Sequence, residues 1–340
     1  MATFSTAAGA GNVTLRDELI CARGSAEVEW ISAASKSGTQ DVLAVRILIH
    51  AMHRLGRAPN QRFRIEQYLD VLEANQIEHT FSPLLDANAD RTFYSPGNIY
   101  KKASLAWQAL RKRRRETRPK NARAFDAFFV VRESLFFGGP MIEKRIKRAG
   151  VPLIFDFDDA IWLSAGVSRA NRIFARFKRP DKIPAILAMA DLVIAGNPYL
   201  AEFAVRSRAS RVEIVPSTID TDVYVPRPPH ESNCRPVCIG WSGSFSTIPH
   251  LRTCLPALHR VKEKLGDRVT FRVISDTTFA DDKLDVDSVR WRQETEVQDL
   301  YPIDIGIMPL PDDDWTRGKC GMKGLQYMAL AIPTLMSPVG

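Results

Sequence analysis

Short apolar runs alternate with helix-period segments along the chain from about residue 42 onward. Val42–His50, Phe128–Arg132, Val151–Asp156, Leu192–Ala195 and Val212–Val215 are dominated by Val, Ile, Leu, Ala and Phe. Runs that are apolar on both faces predict strands buried in a parallel sheet. Between them, Gln61–Asn75, Met141–Ala149, Ile183–Ala190 and Pro198–Ala204 carry their apolar positions at helical spacing. A second series follows the Pro-rich stretch Pro226–Pro236. It predicts strands at Val237–Trp241, Val269–Ser275, Val289–Trp291, Ile305–Met308 and Thr334–Met336. Its helices are Ile248–Leu265, Glu294–Leu300 and Gly321–Leu330, with Thr247 as N-cap and Pro249 in the first turn of the longest. Strand–helix alternation in both series predicts an α/β chain with two parallel sheets covered on both faces. The expected organisation is a flexible extension at 1–40, a first domain at 41–226, a linker at 227–236 and a second domain at 237–340. The chain stops at Gly340 directly after a strand, so the second domain is expected to be incomplete at its C-terminus.

Composition narrows the class. With 340 residues, 45% apolar and 25% charged, an ordinary soluble protein of about two domains is expected. No run approaches the roughly 18 apolar residues of a membrane span. Arg16, Asp17 and Glu18 interrupt the N-terminal segment before a signal-peptide core could form. The cysteines at 21, 234, 238, 254 and 320 offer one close pair and no second pair to complete a zinc site. Free thiols in a reducing cytoplasm are expected. The net charge of +8 is local: residues 101–123 hold ten Lys or Arg against one acid, Glu116. With Leu105, Trp107 and Leu110 interleaved, Lys101–Arg123 reads as a basic amphipathic helix for an anionic membrane surface. A solvated charge run is the plain alternative. No nucleic-acid motif accompanies the patch.

Candidate chemistry gathers at predicted strand ends, where parallel sheets place their ligands. Lys319 and Lys323 flank the start of the Gly321–Leu330 helix, a place suited to phosphate, with Gln326 one turn on. Two solvated lysines on an amphipathic helix would look the same. Ser242-Gly243-Ser244 lies between a strand and a helix, where Gly243 lets backbone approach a phosphate and the amides from Ser244 onward can point at it. In Asp156-Phe-Asp158-Asp159, alternation puts Asp156 and Asp158 on one face if the strand persists. Asp159 equally suits a helix N-cap. Arg57, Arg62, Arg132 and Glu133 follow strands, and turn or cap roles are expected for Asn197 and Asp220. His50 and His53 flank the end of the first strand without any local partner of a catalytic triad.

Taken in order, Arg57-Ala-Pro-Asn-Gln-Arg-Phe-Arg, Phe155-Asp-Phe-Asp-Asp-Ala-Ile-Trp, Ala190-Asp-Leu-Val-Ile-Ala-Gly-Asn-Pro-Tyr-Leu, Val215-Pro-Ser-Thr-Ile-Asp, Ile239-Gly-Trp-Ser-Gly-Ser and Arg317-Gly-Lys-Cys-Gly-Met-Lys-Gly-Leu-Gln-Tyr-Met-Ala resemble the GT-B glycosyltransferases, family 4 above all, from about Val42 to Gly340. The resemblance implies two Rossmann-like domains facing a cleft. It implies transfer of a sugar from a nucleotide diphosphate to a saccharide or lipid-linked acceptor, with retention, in surface-polysaccharide or cell-envelope assembly. No metal and no cofactor beyond the nucleotide sugar are implied; an Asp-x-Asp metal site would belong to the other glycosyltransferase fold. Gly243, Ser244, Lys319, Lys323 and Gln326 then fall at the donor, Lys319 also serving the chemistry. Asp158 and Asp159 become acceptor-orienting or basic groups, and Arg57, Arg62, Arg132 and Glu133 acceptor contacts. Many members carry two glutamates eight positions apart in the last motif; here Gly318 and Gln326 occupy those places. The resemblance also favours a cytoplasmic enzyme held at the inner membrane face. Alternatives are a sugar-nucleotide epimerase, or a truncated or degenerate protein that binds nucleotide sugar or a partner without catalysis.

Overall fold

A computed structural model describes residues 44–95, 97–163, 179–227 and 235–340. The predicted extension at 1–40 and most of the linker lie outside the described residues. So do Cys21 and Cys234.

The first domain runs β1 (Val45–His53), α1 (Pro59–Arg62), α2 (Leu69–Ala74), β2 (Ile77–Leu85), α3 (Ala87–Tyr94), α4 (Ile99–Glu116), α5 (Pro119–Ala122), β3 (Ala127–Val131), α6 (Met141–Arg148), β4 (Leu153–Phe157), α7 (Ile183–Leu187), β5 (Leu192–Ala195), α8 (Pro198–Arg206) and β6 (Val212–Ile214). Its strands form one parallel sheet in the order β2-β1-β3-β4-β5-β6. The second domain runs β7 (Val237–Gly243), α9 (Ile248–Leu265), β8 (Val269–Ser275), β9 (Val286–Arg290), α10 (Glu296–Leu300), β10 (Ile305–Met308), α11 (Asp314–Arg317), α12 (Met322–Ala329) and β11 (Thr334–Met336). Its parallel sheet has the order β11-β10-β7-β8-β9. In each sheet the order reverses beside the first strand, β1/β3 in one and β7/β10 in the other. Crevices outside strand ends open at such reversals.

The central strands β3 and β4 are buried along their whole length, as the apolar runs Ala127–Val131 and Leu153–Phe155 require, with Asp156 the one acid inside them. Phe128, Phe155, Phe157, Ile142 and Ile146 pack on one face of that sheet, and Ile47, Ile49, Phe129 and Ile154 on the other. In the second domain, Trp241, Leu251 and Val273 form one core. The other joins Ile274, Leu300, Ile303 and Tyr327 to Phe63 of the first domain, so an apolar cluster crosses the domain boundary.

Three local expectations change. The helix expected over Gln61–Asn75 is broken into α1, a 3-10 turn at Glu66–Tyr68 and α2. The bend draws Arg64 inward, where its guanidinium clasps buried Asp156 at 2.5–3.2 Å. Thr247 takes the expected N-cap position of α9 but makes no side-chain cap bond; its hydroxyl turns back to donate to the Ser244 carbonyl and accept from the Ser244 amide. β2 escapes the apolar pattern because it is an edge strand, where Glu78, His79, Thr80 and Pro83 are tolerated.

The basic segment forms α4, but not with its cations all outward. Arg113 is 0% exposed and donates to the carbonyls of Ala51, Ser82 and Ser134 and to Glu116. Lys102 is buried, and Lys112 bonds the Pro83 carbonyl at 2.5 Å. Leu105 and Leu110 pack on the core, so they are not free for lipid. The outer surface keeps Tyr100 at 92% and Trp107 at 56% exposure, with Arg111 over the Trp107 ring and Arg114 and Arg115 beyond. Among the described residues no helix is long and apolar enough to cross a membrane.

Candidate active site

The carboxyl ends of the two sheets meet around Asp159. β4 ends at Phe157, so strand alternation no longer governs Asp158 and Asp159. Both turn toward Arg132: its Nε donates to Asp158 at 2.8 Å and its Nη2 to Asp159 at 2.6 Å. Arg132 follows β3 with a left-handed φ of 64°. That backbone is uncommon for a non-glycine residue. Its amide donates to the Asp156 carbonyl at 2.7 Å. Asp156 and Asp158 therefore pair with different arginines, Arg64 and Arg132, while the charge of Asp158 still bears on Asp156. Burial raises Asp156 to about 6 against the pull of Arg64.

From the second domain, Lys319 Nζ reaches Asp159 Oδ1 at 2.6 Å and also lies over the Trp315 ring. Asp159 thus bridges two cations from opposite domains. Burial by itself would raise its carboxyl, but Arg132 and Lys319 together hold it below the ordinary carboxylate range. Asn197 positions the lysine: its Oδ1 caps α8 by accepting from Leu200, and its Nδ2 donates to the Arg317 and Lys319 carbonyls. Cys320 donates to the Asp158 carbonyl at 3.3 Å, and burial, then Asp158, push its thiol up to about 12. Gly318 is pressed against Ala160; a Cβ there would come within 2.8 Å of the Ala160 amide and methyl. The closeness explains why this position holds no glutamate.

Lys323 opens the first turn of α12, half-buried, its ammonium 5.5 Å from the Trp241 ring centre. Among the described residues no carboxylate pairs with it. Burial, and then the charge of Lys319, lower it to about 8. His250, in the first turn of α9, is also lowered, first by burial and then by the charges of Lys319 and Lys323. Sequence reasoning missed it, since nothing in its neighbourhood marks it.

Other expected donor groups are already engaged. The Ser244 amide donates to Thr247 and the Phe245 amide to Asp276, so these two are not free to cradle phosphate. Gly243 sits where a Cβ would strike the Trp241 ring and Thr247. Gln326 is 5% exposed, and its amide donates to the Tyr224 hydroxyl and Glu296. Glu296 also accepts from Arg62 at 2.6 Å, Tyr224 at 2.7 Å and Trp291 at 2.9 Å. Arg62 is therefore an interdomain tie. Burial works against the Glu296 charge, yet Arg62, Trp291 and Tyr224 keep its carboxyl below the usual range.

Among the expected acceptor residues, Glu133 pairs with buried Lys182 at 2.8 Å, and Arg57 Nε holds Asp90 at 2.7 Å. His53 also bonds Asp90, while His50 is fully buried against Ser134 and lowered by burial to about 3. Asp220 accepts from the Asp222 amide in a turn. Among the described residues no group of three or more His, Cys, Asp or Glu side chains is arranged to hold a metal.

No protein-family model and no curated protein matches this chain. Solved structures do. A glycosyltransferase from Rickettsia africae aligns with a TM-score of 0.55 at 10% identity, over 88% of this chain and 80% of that one. The E. coli trehalose-6-phosphate structure bound with UDP-2-fluoro glucose aligns with a TM-score of 0.52 at 12% identity, over 86% and 83%. A trehalose-6-phosphate synthase analysed with bisubstrate glycomimetics for glycosyl transfer with retention aligns at 0.53 and 12%, over 86% and 83%. The chain has the GT-B fold. In GT-B terms, Asp159 belongs to the first domain and Lys319 and Lys323 to the second, and the Lys319–Asp159 ion pair joins the two.

Proposed function

We propose that this GT-B protein is a glycosyltransferase of the family 4 type. It moves a sugar from a nucleotide diphosphate sugar to a saccharide or lipid-linked acceptor, with retention and without a metal. The observation that carries the reading is the interdomain pair Lys319–Asp159 beside Lys323, which no carboxylate among the described residues pairs with. Two lysines at a helix start form a cationic place for a diphosphate. In the structure Asp159 stands in for that anion.

The reaction breaks the bond between the anomeric carbon and the diphosphate oxygen. Negative charge grows on the departing diphosphate, and Lys319 and Lys323 stabilise it there. As Lys319 shifts from Asp159 to phosphate, Asp159 keeps only Arg132 and gains basicity. It then takes the proton of the acceptor hydroxyl as that oxygen bonds the anomeric carbon on the face the diphosphate leaves, which keeps the configuration. With both cations attached Asp159 is a poor base, so donor binding readies it for acceptor. The engagement of Gln326 and of the Ser244 and Phe245 amides leaves the two lysines the larger share of donor binding.

An anionic membrane surface is the proposed location, inner face, in surface-polysaccharide or cell-envelope assembly. Trp107, Tyr100, Arg111, Arg114 and Arg115 on the outer face of α4 support it. The test is transfer from a panel of nucleotide sugars to membrane-extracted and saccharide acceptors, with products identified by mass. Lys319→Gln and Lys323→Gln should each lower turnover by about a hundredfold or more, the scale of losing one preorganised charge stabiliser. Conversion of the nucleotide sugar without any acceptor would mark an epimerase and overturn the reading. Consumption of none would favour a binding protein.

A further inference from the structure

A second cationic site lies at the other side of the first domain's switch point. Arg54 and Arg57 leave the carboxyl end of β1, and α3 follows β2 next door. Asp86 caps α3 by accepting from the Asn88 and Ala89 amides. Ala87, Asp90, Arg91 and Tyr94 then fall on one face at helical spacing. Together with Arg54 and Arg57 they line a cavity of about 380 Å³. Asp90 is its buried anchor. It takes Arg57 Nε at 2.7 Å, Arg54 Nη1 at 3.4 Å and His53 Nδ1 at 3.0 Å. The guanidinium of Arg57 also lies 5.7 Å from the centre of the Tyr94 ring, and the Tyr94 hydroxyl reaches His53 at 3.4 Å.

Charge decides what such a cavity takes. Three guanidiniums face one carboxylate, which leaves an excess of two positive charges. Asp90 engages the Nε edge of Arg57, so the terminal nitrogens of that fork remain for a ligand. Arginine forks match phosphate and carboxylate oxygens alike. A single carboxylate would neutralise half of the excess, whereas a phosphate monoester or a diphosphate neutralises it all. The location sets the length of the ligand. From the ends of β1 and β2 to the end of β4, which leads into Asp159, is two to three strand spacings, roughly 10–14 Å. That is the reach of a sugar ring or two. Leu55, between the two arginines, and Tyr94, Ile99 and Tyr100, from α3 into α4, stand exposed at 52%, 39%, 53% and 92%.

We infer that the Arg54–Arg57–Arg91–Tyr94 cavity is the acceptor subsite for a phosphate or diphosphate group, set a sugar or two away from the hydroxyl that receives the transferred sugar. The inference rests on the transferase reading for that hydroxyl, and on this cavity alone for the phosphate. It names the acceptor as a phosphorylated glycan. The phosphate comes from a soluble sugar phosphate or from a prenyl diphosphate carrier, which share the recognised group.

The test is calorimetric titration of the full chain with hexose 1-phosphates and, separately, with farnesyl diphosphate. Proteins are wild type, Arg91→Glu, Arg54→Gln/Arg91→Glu and Lys323→Gln. Arg54 and Arg91 are exposed, so the variants are expected to fold, and circular dichroism checks this. Binding should weaken about tenfold or more for each charge-assisted contact removed. Lys323→Gln should leave it unchanged. Tighter binding of a hexose phosphate identifies a soluble acceptor, and tighter binding of farnesyl diphosphate a lipid carrier; either supports the subsite. Binding of neither probe, or binding lost in Lys323→Gln and kept in Arg54→Gln/Arg91→Glu, overturns it. Nucleotide diphosphates titrated in parallel separate the two readings: their failure alone sinks the transferase reading and leaves the phosphate subsite standing.

Discussion

Lys319 of the second domain donates to Asp159 of the first at 2.6 Å, while Arg132 holds the other oxygen of the same carboxylate at 2.6 Å. A carboxylate shared by two cations across a cleft competes with any anion that needs one of them. Asp159→Asn should therefore free Lys319 and tighten binding of the cognate nucleotide diphosphate by about tenfold, the scale of one charge-assisted hydrogen bond. Turnover should fall by about a hundredfold or more, as for loss of an acid–base group. Calorimetry and steady-state kinetics on the same preparation read both. Weaker nucleotide binding in the variant would show that Asp159 supports the donor site.

Lys323 provides a pH signature. Its folded value of about 8 lies below the ordinary 10.5. Between those values the unfolded chain binds more protons, so the contribution of Lys323 to stability rises with pH from 8 to 10.5. Nucleotide binding moves the opposite way, because diphosphate needs the charged amine. Affinity should be level up to about pH 7.5 and fall above pH 8, by up to roughly tenfold per unit. Lys323→Met should bind about ten- to a hundredfold more weakly at pH 7 and lose the alkaline fall. An unchanged fall in that variant would assign the titration elsewhere.

Strand positions were legible because burial on both faces writes an unbroken apolar run, as in Phe128–Val131 and Leu153–Phe155. The two lysines were legible because strand, loop and helix start are local patterns. What stayed hidden is pairing over long sequence distances. Glu296 is one of three acids in a polar stretch, with Glu294 and Asp299, yet it alone gathers Arg62, Tyr224, Trp291 and Gln326. Arg64 falls within the helix expected over Gln61–Asn75, and nothing nearby in the chain points to its partner Asp156. β2 and α3, with the arginine cavity they create, are polar edge elements without strong periodicity.

The Glu296 cluster should behave as a unit. Glu296→Gln leaves the buried Arg62 charge unpaired and should cost about 3–5 kcal/mol in denaturant unfolding. Arg62→Met should cost a similar amount. The double variant should cost clearly less than the sum, because each removes the other's partner. Additive losses would mean that the two side chains act independently.

The outer and inner cations of α4 should separate function from stability. Arg111→Gln/Arg114→Gln/Arg115→Gln should leave the melting temperature within a few degrees of wild type. It should weaken binding to phosphatidylserine vesicles by about a hundredfold, at roughly 1 kcal/mol per surface cation. Arg113→Met, which strips partners from three buried carbonyls and Glu116, should destabilise the chain by about 3 kcal/mol or more. Equal vesicle binding by the triple variant and wild type would remove the membrane surface from the proposal.

The most direct test of the central claim is thermal unfolding of this chain with UDP, GDP, dTDP and CMP, each with and without EDTA, beside Lys319→Gln/Lys323→Gln. One nucleoside diphosphate should stabilise the wild type by roughly 2.7 kcal/mol at a hundredfold excess over its dissociation constant. The effect should survive EDTA and vanish in the double variant. Stabilisation by none of them, or an equal effect in the double variant, would contradict a donor site built on Lys319 and Lys323.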